Sequence, residues 1–309
     1  MNAAIIFVLL LVLMLTGMPV SISLGLTVLT FLFAFTQVPL ESVALKLFTG
    51  IESFEIMAIP FFILAGNFLT HGGVARRMIN FATSMVGHWY GGLGLGGVLA
   101  CALFAAVSGS SPATVVAIGS ILLPAMVKAG FPKQFGAGVI TTSGALGILI
   151  PPSIVMVMYS VATNTSVGAL FMAGVVPGLA LAGVLGGVTY WRARKYDYPR
   201  LPKASWGERW AAFRKSAWGL FLIIVVMGGI YTGMFTPTEA AAMSAVYAFV
   251  VAVFIYKDMG LKDVPKVLLN SANMSAMLLY IITNAVLFSF ILTNENIPQA
   301  LADWMLGHG

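Results

Sequence analysis

Two helix breaks inside one apolar region set the terms for what this chain can become. Residues 107–152 read VSGSSPATVVAIGSILLPAMVKAGFPKQFGAGVITTSGALGILIPP. An apolar run reaches Ser108-Gly109-Ser110-Ser111-Pro112, which is small, polar and helix-breaking. A second run leads back to Lys128. A third climbs to Gly147-Ile148-Leu149-Ile150-Pro151-Pro152, where a glycine and two prolines interrupt it. In lipid, backbone freed by such breaks is tolerated only where protein or a water-filled cavity surrounds it. Two breaks close together at membrane depth are the usual pointer to a transporter's ion and substrate site.

The surrounding composition requires a bilayer as solvent. Of 309 residues, 60% are hydrophobic and 8% charged, against about 25% charged in a soluble domain. No charged side chain occurs in the first 40 residues. Met1-Asn2 offers no basic start and no A-x-A-like site follows the first apolar run, so the N-terminus is expected as a retained span rather than a signal peptide. Cys101 is the only cysteine, which leaves no internal disulfide and no cysteine-based metal site. The net charge of +6 is carried between apolar runs, where it sets orientation; it is no nucleic-acid footprint.

Residues 3–16 and 20–35 are apolar and are separated by Gly17-Met18-Pro19. One helix over both would measure roughly 50 Å, too long for a hydrocarbon core of about 30 Å. Two short spans with a turn are expected, with one kinked, strongly tilted helix as the alternative. Residues 39–55 carry Glu41, Glu52 and Glu55 against Lys46 and form a surface segment. Its end, 49–55, lies flat on the membrane or makes a solvated loop. Further spans are expected at 56–69, 167–191, 217–235, 240–256 and 267–293. The run 91–107 rises to the first break, and 153–163 completes the interrupted span after the second. Asn164-Thr165-Ser166 is a turn, 192–215 the most basic segment, and 294–309 a polar tail. His71, His88 and His308 are isolated and interfacial. The tryptophans, among them Trp89, Trp191, Trp206 and Trp210, sit beside basic segments as an aromatic belt. Residues 206–215 form an amphipathic surface helix or a docking segment for a smaller subunit.

Orientation follows from Lys and Arg. With 192–215 cytoplasmic, 257–266 also falls inside. If 107–124 is a re-entrant hairpin opening to the cytoplasm, Lys128, Lys133, Arg76 and Arg77 join them, and the acidic 39–55 falls outside. A full crossing at 107–124 breaks this agreement. The same parity puts Gly17 inside and Gly233 outside. Thr16-Gly17-Met18 recurs as Thr232-Gly233-Met234, and Asn67-Phe68-Leu69-Thr70 roughly matches Phe290-Ile291-Leu292-Thr293. The halves are therefore expected as inverted repeats. Carried forward, Gly309 falls opposite residue 86 or so. The second repeat is expected to be incomplete by roughly 105 residues, including its own hairpin and broken helix.

Four motifs in order carry a resemblance over the whole chain. Ser108-Gly-Ser-Ser-Pro-Ala-Thr114, Gly147-Ile-Leu-Ile-Pro-Pro-Ser153, Met57-Ala-Ile-Pro-Phe-Phe-Ile-Leu-Ala-Gly66 and Phe235-Thr-Pro-Thr-Glu-Ala-Ala241 resemble the large membrane subunit of tripartite ATP-independent periplasmic (TRAP) transporters. The family's second proline-rich motif is absent here. The resemblance implies an elevator-type, sodium-driven importer in the bacterial inner membrane. It implies a small membrane subunit as brace and a periplasmic binding protein that delivers an organic acid such as a C4-dicarboxylate or sialic acid.

The expected fold is therefore an all-α polytopic membrane protein with a re-entrant hairpin and a discontinuous helix. Residues 1–90 are scaffold-type helices, 91–165 the transport region, 166–216 a span plus a basic cytoplasmic loop, and 217–309 the start of the second repeat. The resemblance places a sodium site at the two breaks. Sodium takes hard oxygens from unwound backbone, so Ser108 and Ser111 offer hydroxyls and Gly147, Ile150 and Pro152 offer carbonyls. Proline kinks with serine patches are the plain packing alternative. Helix N-termini after Pro112 and Pro152 suit an anionic substrate. Ser110, Thr114, Thr141, Thr142 and Ser143 are candidates to meet it, although the threonines can instead bond back to their own helices. Thr238 is expected to cap the next helix with help from Glu239, a proton relay at Glu239 being the alternative.

Other classes fit less well. An embedded enzyme needs converging acids, bases or metal ligands within the spans, and the histidines and acids lie nearly all in loops. No G-x-x-x-x-G-K-[ST] motif occurs, which excludes an ATP-driven pump. A proton-coupled carrier of related architecture is the nearer rival. A pure scaffold gains nothing from two helix breaks.

Overall fold

A computed structural model describes residues 2–36 and 39–307. The expected interfacial His308 lies outside the described residues. The described elements are helical: α1 Asn2–Leu15, α2 Val20–Phe35, α3 Leu40–Thr49, α4 Ala58–His71, α5 Val74–Val86, α6 Gly92–Ser108, α7 Ser111–Lys128, α8 Lys133–Gly144, α9 Leu146–Leu149, α10 Ile154–Thr163, α11 Val167–Lys195, α12 Trp206–Tyr231, α13 Pro237–Val250, α14 Val264–Asn294 and α15 Ile297–Leu306. Among the described residues six stretches are long and apolar enough to cross a membrane, and α8 to α10 form a further pair bent by 42° at its break.

The chain divides into two compact units. One comprises Met1–Ser53 with Asn273–Gly309. Its core packs Ile6, Val28, Phe31, Leu32 and Val43 with Leu287 and Ile291. The expected turn between the first two spans is present: α1 ends at Leu15, and Gly17 takes a φ of +84°, a left-handed conformation open to glycine without cost. The acidic segment forms helix α3, with Glu41 in its first turn and Lys46 in its last, each placed to complement the helix dipole.

The second unit, Phe54–Ala272, contains both breaks. Helices α6 and α7 pack antiparallel. A β-carbon on Gly97 would meet Leu122, one on Gly94 lies near Met126, and Ser108 reaches Thr114. Helix α8 returns antiparallel to α7, with Gly119 against Ile140 and Gly144 against Val115. Glycine at these crossings lets backbones approach closely, as membrane helices require. The core here includes Val98, Ala105, Val139 and Leu146.

Four expectations need correction. Residues 74–86, not expected as an element, form α5, which buries Val74, Ala75, Met78, Ile79 and Ala82. That i, i+4, i+8 stripe is amphipathic, and Arg76 and Arg77 on the other face masked it. Residues 206–215 are not a separate surface helix but the start of α12. A capping box opens that helix: Glu208 N–H donates to Ser205 Oγ at 3.2 Å, and Ser205 N–H to Glu208 Oε2 at 2.6 Å. No breaker follows, so the helix runs on through Ser216 into the apolar span. The tail from Asn294 is largely helix α15, started by a left-handed Asn296 with φ 52°. Finally, Thr236 rather than Thr238 caps α13. Its hydroxyl accepts from Glu239 N–H at 3.3 Å while Glu239 Oε2 accepts from Thr236 N–H at 2.8 Å. Pro237 at the first helical position places the cap at Thr236, two residues before Thr238, and Thr238 instead donates to the Phe54 carbonyl at 3.0 Å. Glu239 thus has the structural role expected of it.

Candidate ion and substrate site

The two breaks meet. Ile154 N–H donates to the Gly109 carbonyl at 3.0 Å. A β-carbon on Gly109 would sit 2.8 Å from the Pro152 carbonyl oxygen, and one on Gly147 would sit 2.8 Å from the Ser111 nitrogen. Gly109 has a φ of +62°, so the hairpin tip requires glycine twice over: for its backbone and for its clearance. The Pro151-Pro152 peptide is cis.

The sequence dictates which carbonyls are released. A helical carbonyl at position i takes the N–H of residue i+4. For Gly147 and Ile148 those residues are Pro151 and Pro152, which have no N–H. For Ile150 it is Ile154, whose N–H has gone to Gly109. On the hairpin side, Ser108 faces Pro112 in the same way. Carbonyl ends of α6 and α9 and N–H ends of α7 and α10 thus share one place, which sets partial negative beside partial positive charge. Helix α11 closes a side: a β-carbon on Gly174 would lie 2.6 Å from the Leu149 carbonyl, and one on Gly178 2.9 Å from Ile150.

The hydroxyls fall into two groups. Thr114 Oγ1 donates to the Ser110 carbonyl at 2.9 Å and lies 3.1 Å from Ser108 Oγ. With Thr114's proton so committed, Ser108 is the donor between them, which leaves lone pairs on Ser108. Ser110 caps α7, accepting from Ala113 N–H at 3.4 Å. In the second group, Ser111, Ser143 and Ser153 have buried hydroxyl oxygens with no hydrogen-bond partner. A buried group left so costs about 1–3 kcal/mol. Ser153 and the Ile148 carbonyl are additions to the expected set; their signal in the sequence is Pro152, one residue before Ser153 and four after Ile148. Thr142 bonds back to Gly138 at 2.8 Å on the exposed side of α8. Thr141 is also exposed and lines a separate cavity of about 390 Å³ with Ser120 and Ile140. Neither threonine is brought to the breaks.

The donor set suits one kind of cation. No Asp or Glu occurs between Glu55 and Asp197, so the junction offers neutral oxygens alone. Divalent cations are held through carboxylates; neutral hydroxyls and unwound carbonyls match a hard monovalent ion. Among the described residues no group of three His, Cys, Asp or Glu converges.

Residues 7–309 match the family model described as "Tripartite ATP-independent periplasmic transporter, DctM component". The chain belongs to this TRAP large-permease family. It is 76% identical to the C4-dicarboxylate TRAP transporter large permease protein DctM of Rhodobacter capsulatus, over 100% of this chain and 73% of that protein. The namesake from Pseudomonas aeruginosa is 54% identical over 92% of this chain and 66% of its own length. The sialic acid TRAP transporter large permease protein SiaM of Vibrio cholerae is 36% identical over 95% and 69%. The family consists of transporter permeases, not enzymes, and its apolar spans make this TRAP permease a multi-pass protein of the inner membrane.

Proposed function

We propose that this TRAP large permease couples sodium entry to import of C4-dicarboxylates or related carboxylates, with sodium held where the two helix breaks meet. One observation carries the reading: carbonyls of Gly147, Ile148 and Ile150 released from helical pairing lie at a junction with buried, unpartnered hydroxyls of Ser111 and Ser153. Ser108 adds a lone pair and Pro152 a carbonyl from the same loop. The N-termini of α7 and α10 present N–H groups to a substrate carboxylate, beside Ser110 and Ser143. The names of the relatives support a C4-dicarboxylate, and family membership supports two partners, a small membrane subunit and a periplasmic binding protein.

Residues 91–165 act as the moving transport region, with an inverted repeat around them. Left-handed residues recur at matching points of the two halves: Gly17 with Gly233, both open to solvent or lipid at the β-carbon position, and Gly73 with Asn296. Each of the latter pair separates a span from a short amphipathic helix, α5 or α15. The distribution of Lys and Arg supports the inversion.

The test is uptake by the assembled transporter in vesicles at varied sodium. Ser108→Ala with Ser111→Ala is expected to raise the sodium concentration for half-maximal uptake about tenfold or more, while the protein still inserts. An unchanged sodium curve removes these serines from the site. Uptake that follows a pH gradient without sodium removes sodium coupling altogether.

A further inference from the structure

We infer that the basic end of α11 carries a binding site for the phosphate of an anionic membrane lipid. A cavity of about 360 Å³ is lined by His88, Trp89, Tyr90, Tyr190 and Arg200. It lies within the second unit, apart from the helix breaks, and nothing in the transport reading uses it.

The cavity is held in shape by backbone. Leu201 N–H donates to the Gly87 carbonyl at 2.9 Å, and Tyr198 N–H to the Ala193 carbonyl at 2.9 Å. The loop after α11 is thereby tied to the turn before α6, and Arg200 is presented beside that turn. Its guanidinium carbon lies 4.1 Å from the centroid of the Tyr90 ring. A guanidinium over an aromatic face keeps its edge N–H groups for a second partner, and a planar fork suits two phosphate oxygens. Among the described residues no carboxylate pairs with Arg200, whereas Arg77 is paired with Asp258. His88 adds a second unused group, because its Nδ1 is buried without a hydrogen-bond partner.

The surroundings favour a lipid over a free anion. Tyr190 meets Trp89 and Tyr90 edge-on, with ring centroids 6.3 and 6.2 Å apart, so the wall is the amphipathic aromatic kind found at headgroup depth. The last turn of the apolar helix α11 adds Arg192, Arg194 and Lys195, with Asp197 as the nearby acid in sequence. Basic pockets between spans at such a level take anionic headgroups.

Native mass spectrometry of the delipidated protein tests this, with phosphatidylglycerol, phosphatidylcholine and glycerol 3-phosphate as probes. Wild type is expected to retain one phosphatidylglycerol more tightly than phosphatidylcholine. Arg200→Gln should weaken that binding about tenfold or more, Arg200→Lys less, and His88→Gln severalfold. Lys203→Gln, outside the cavity, should change it by no more than about twofold. Equal losses in Arg200→Gln and Lys203→Gln would reduce the effect to diffuse charge and overturn the site. Glycerol 3-phosphate that displaces the lipid at micromolar concentration would assign the cavity to a soluble phosphate instead. Should Arg200→Gln fail to fold, Arg200→Lys and His88→Gln decide alone: no loss in either overturns the proposal.

Discussion

Two helix starts in this chain use nearly the same residues and end up chemically opposite. At Thr236-Pro237-Thr238-Glu239 every polar group finds a partner: Thr236 and Glu239 close a reciprocal box, and Thr238 reaches the Phe54 carbonyl. At Ser110-Ser111-Pro112-Ala113 the cap is half made. Ser110 Oγ accepts from Ala113 N–H at 3.4 Å, but alanine has nothing to send back, and Ser110 N–H makes only a long 3.5 Å contact to Ser108 Oγ. The Ser111 hydroxyl oxygen is left buried and unpartnered. A helix start whose polar groups are all spent is structural. One that keeps oxygens in reserve, beside a second break with released carbonyls, has capacity for a ligand.

That contrast can be broken most forcefully at the hairpin tip. Gly109→Ala puts a β-carbon against the Pro152 carbonyl and a side chain at positive φ. It should cost about 1–2 kcal/mol from backbone conformation alone and abolish the sodium response by parting the two breaks; thermal unfolding and sodium-dependent uptake read the two effects. Next in size are Ser111→Ala and Ser153→Ala. Each should weaken the apparent sodium affinity severalfold, yet leave stability unchanged or raised by up to about 1 kcal/mol, because an unpaired buried hydroxyl is removed. Thr236→Ala should do the reverse, costing about 1 kcal/mol of stability as a lost cap with the sodium curve unmoved. The smallest change is Glu239→Gln, which keeps an acceptor and loses only the charge at the helix start, a few tenths of a kcal/mol; a shift in proton-driven uptake in that variant would revive the relay.

Much of this was legible in the sequence, for stated physical reasons. Gly17-Met18-Pro19 and Asn164-Thr165-Ser166 cannot continue a helix, and both are turns in the structure. The two breaks were visible as proline and glycine inside apolar runs. Helix α5 was hidden because Arg76, Arg77 and Asn80 on its other face read as surface, and α15 because the polar Asn294-Glu295-Asn296 ahead of it and Asp303 within it read as a tail. The shift of the cap from Thr238 to Thr236 depends on where Pro237 falls relative to the first turn, a two-residue register that composition does not carry. Within the site, that Ile154 N–H leaves Ile150 for Gly109 is a tertiary choice between segments more than forty residues apart, and no local pattern announces it. The same holds for the outward face of Thr141 and Thr142.

The most direct measurement is the thermal unfolding midpoint of the purified protein, titrated with sodium at constant ionic strength against potassium. If sodium sits among the oxygens of Ser108, Ser111 and the Gly147–Pro152 loop, the midpoint should rise with sodium, stay flat with potassium, and lose most of that rise in Ser108→Ala with Ser111→Ala. A midpoint indifferent to sodium, or a rise that survives intact in the double variant, would contradict it.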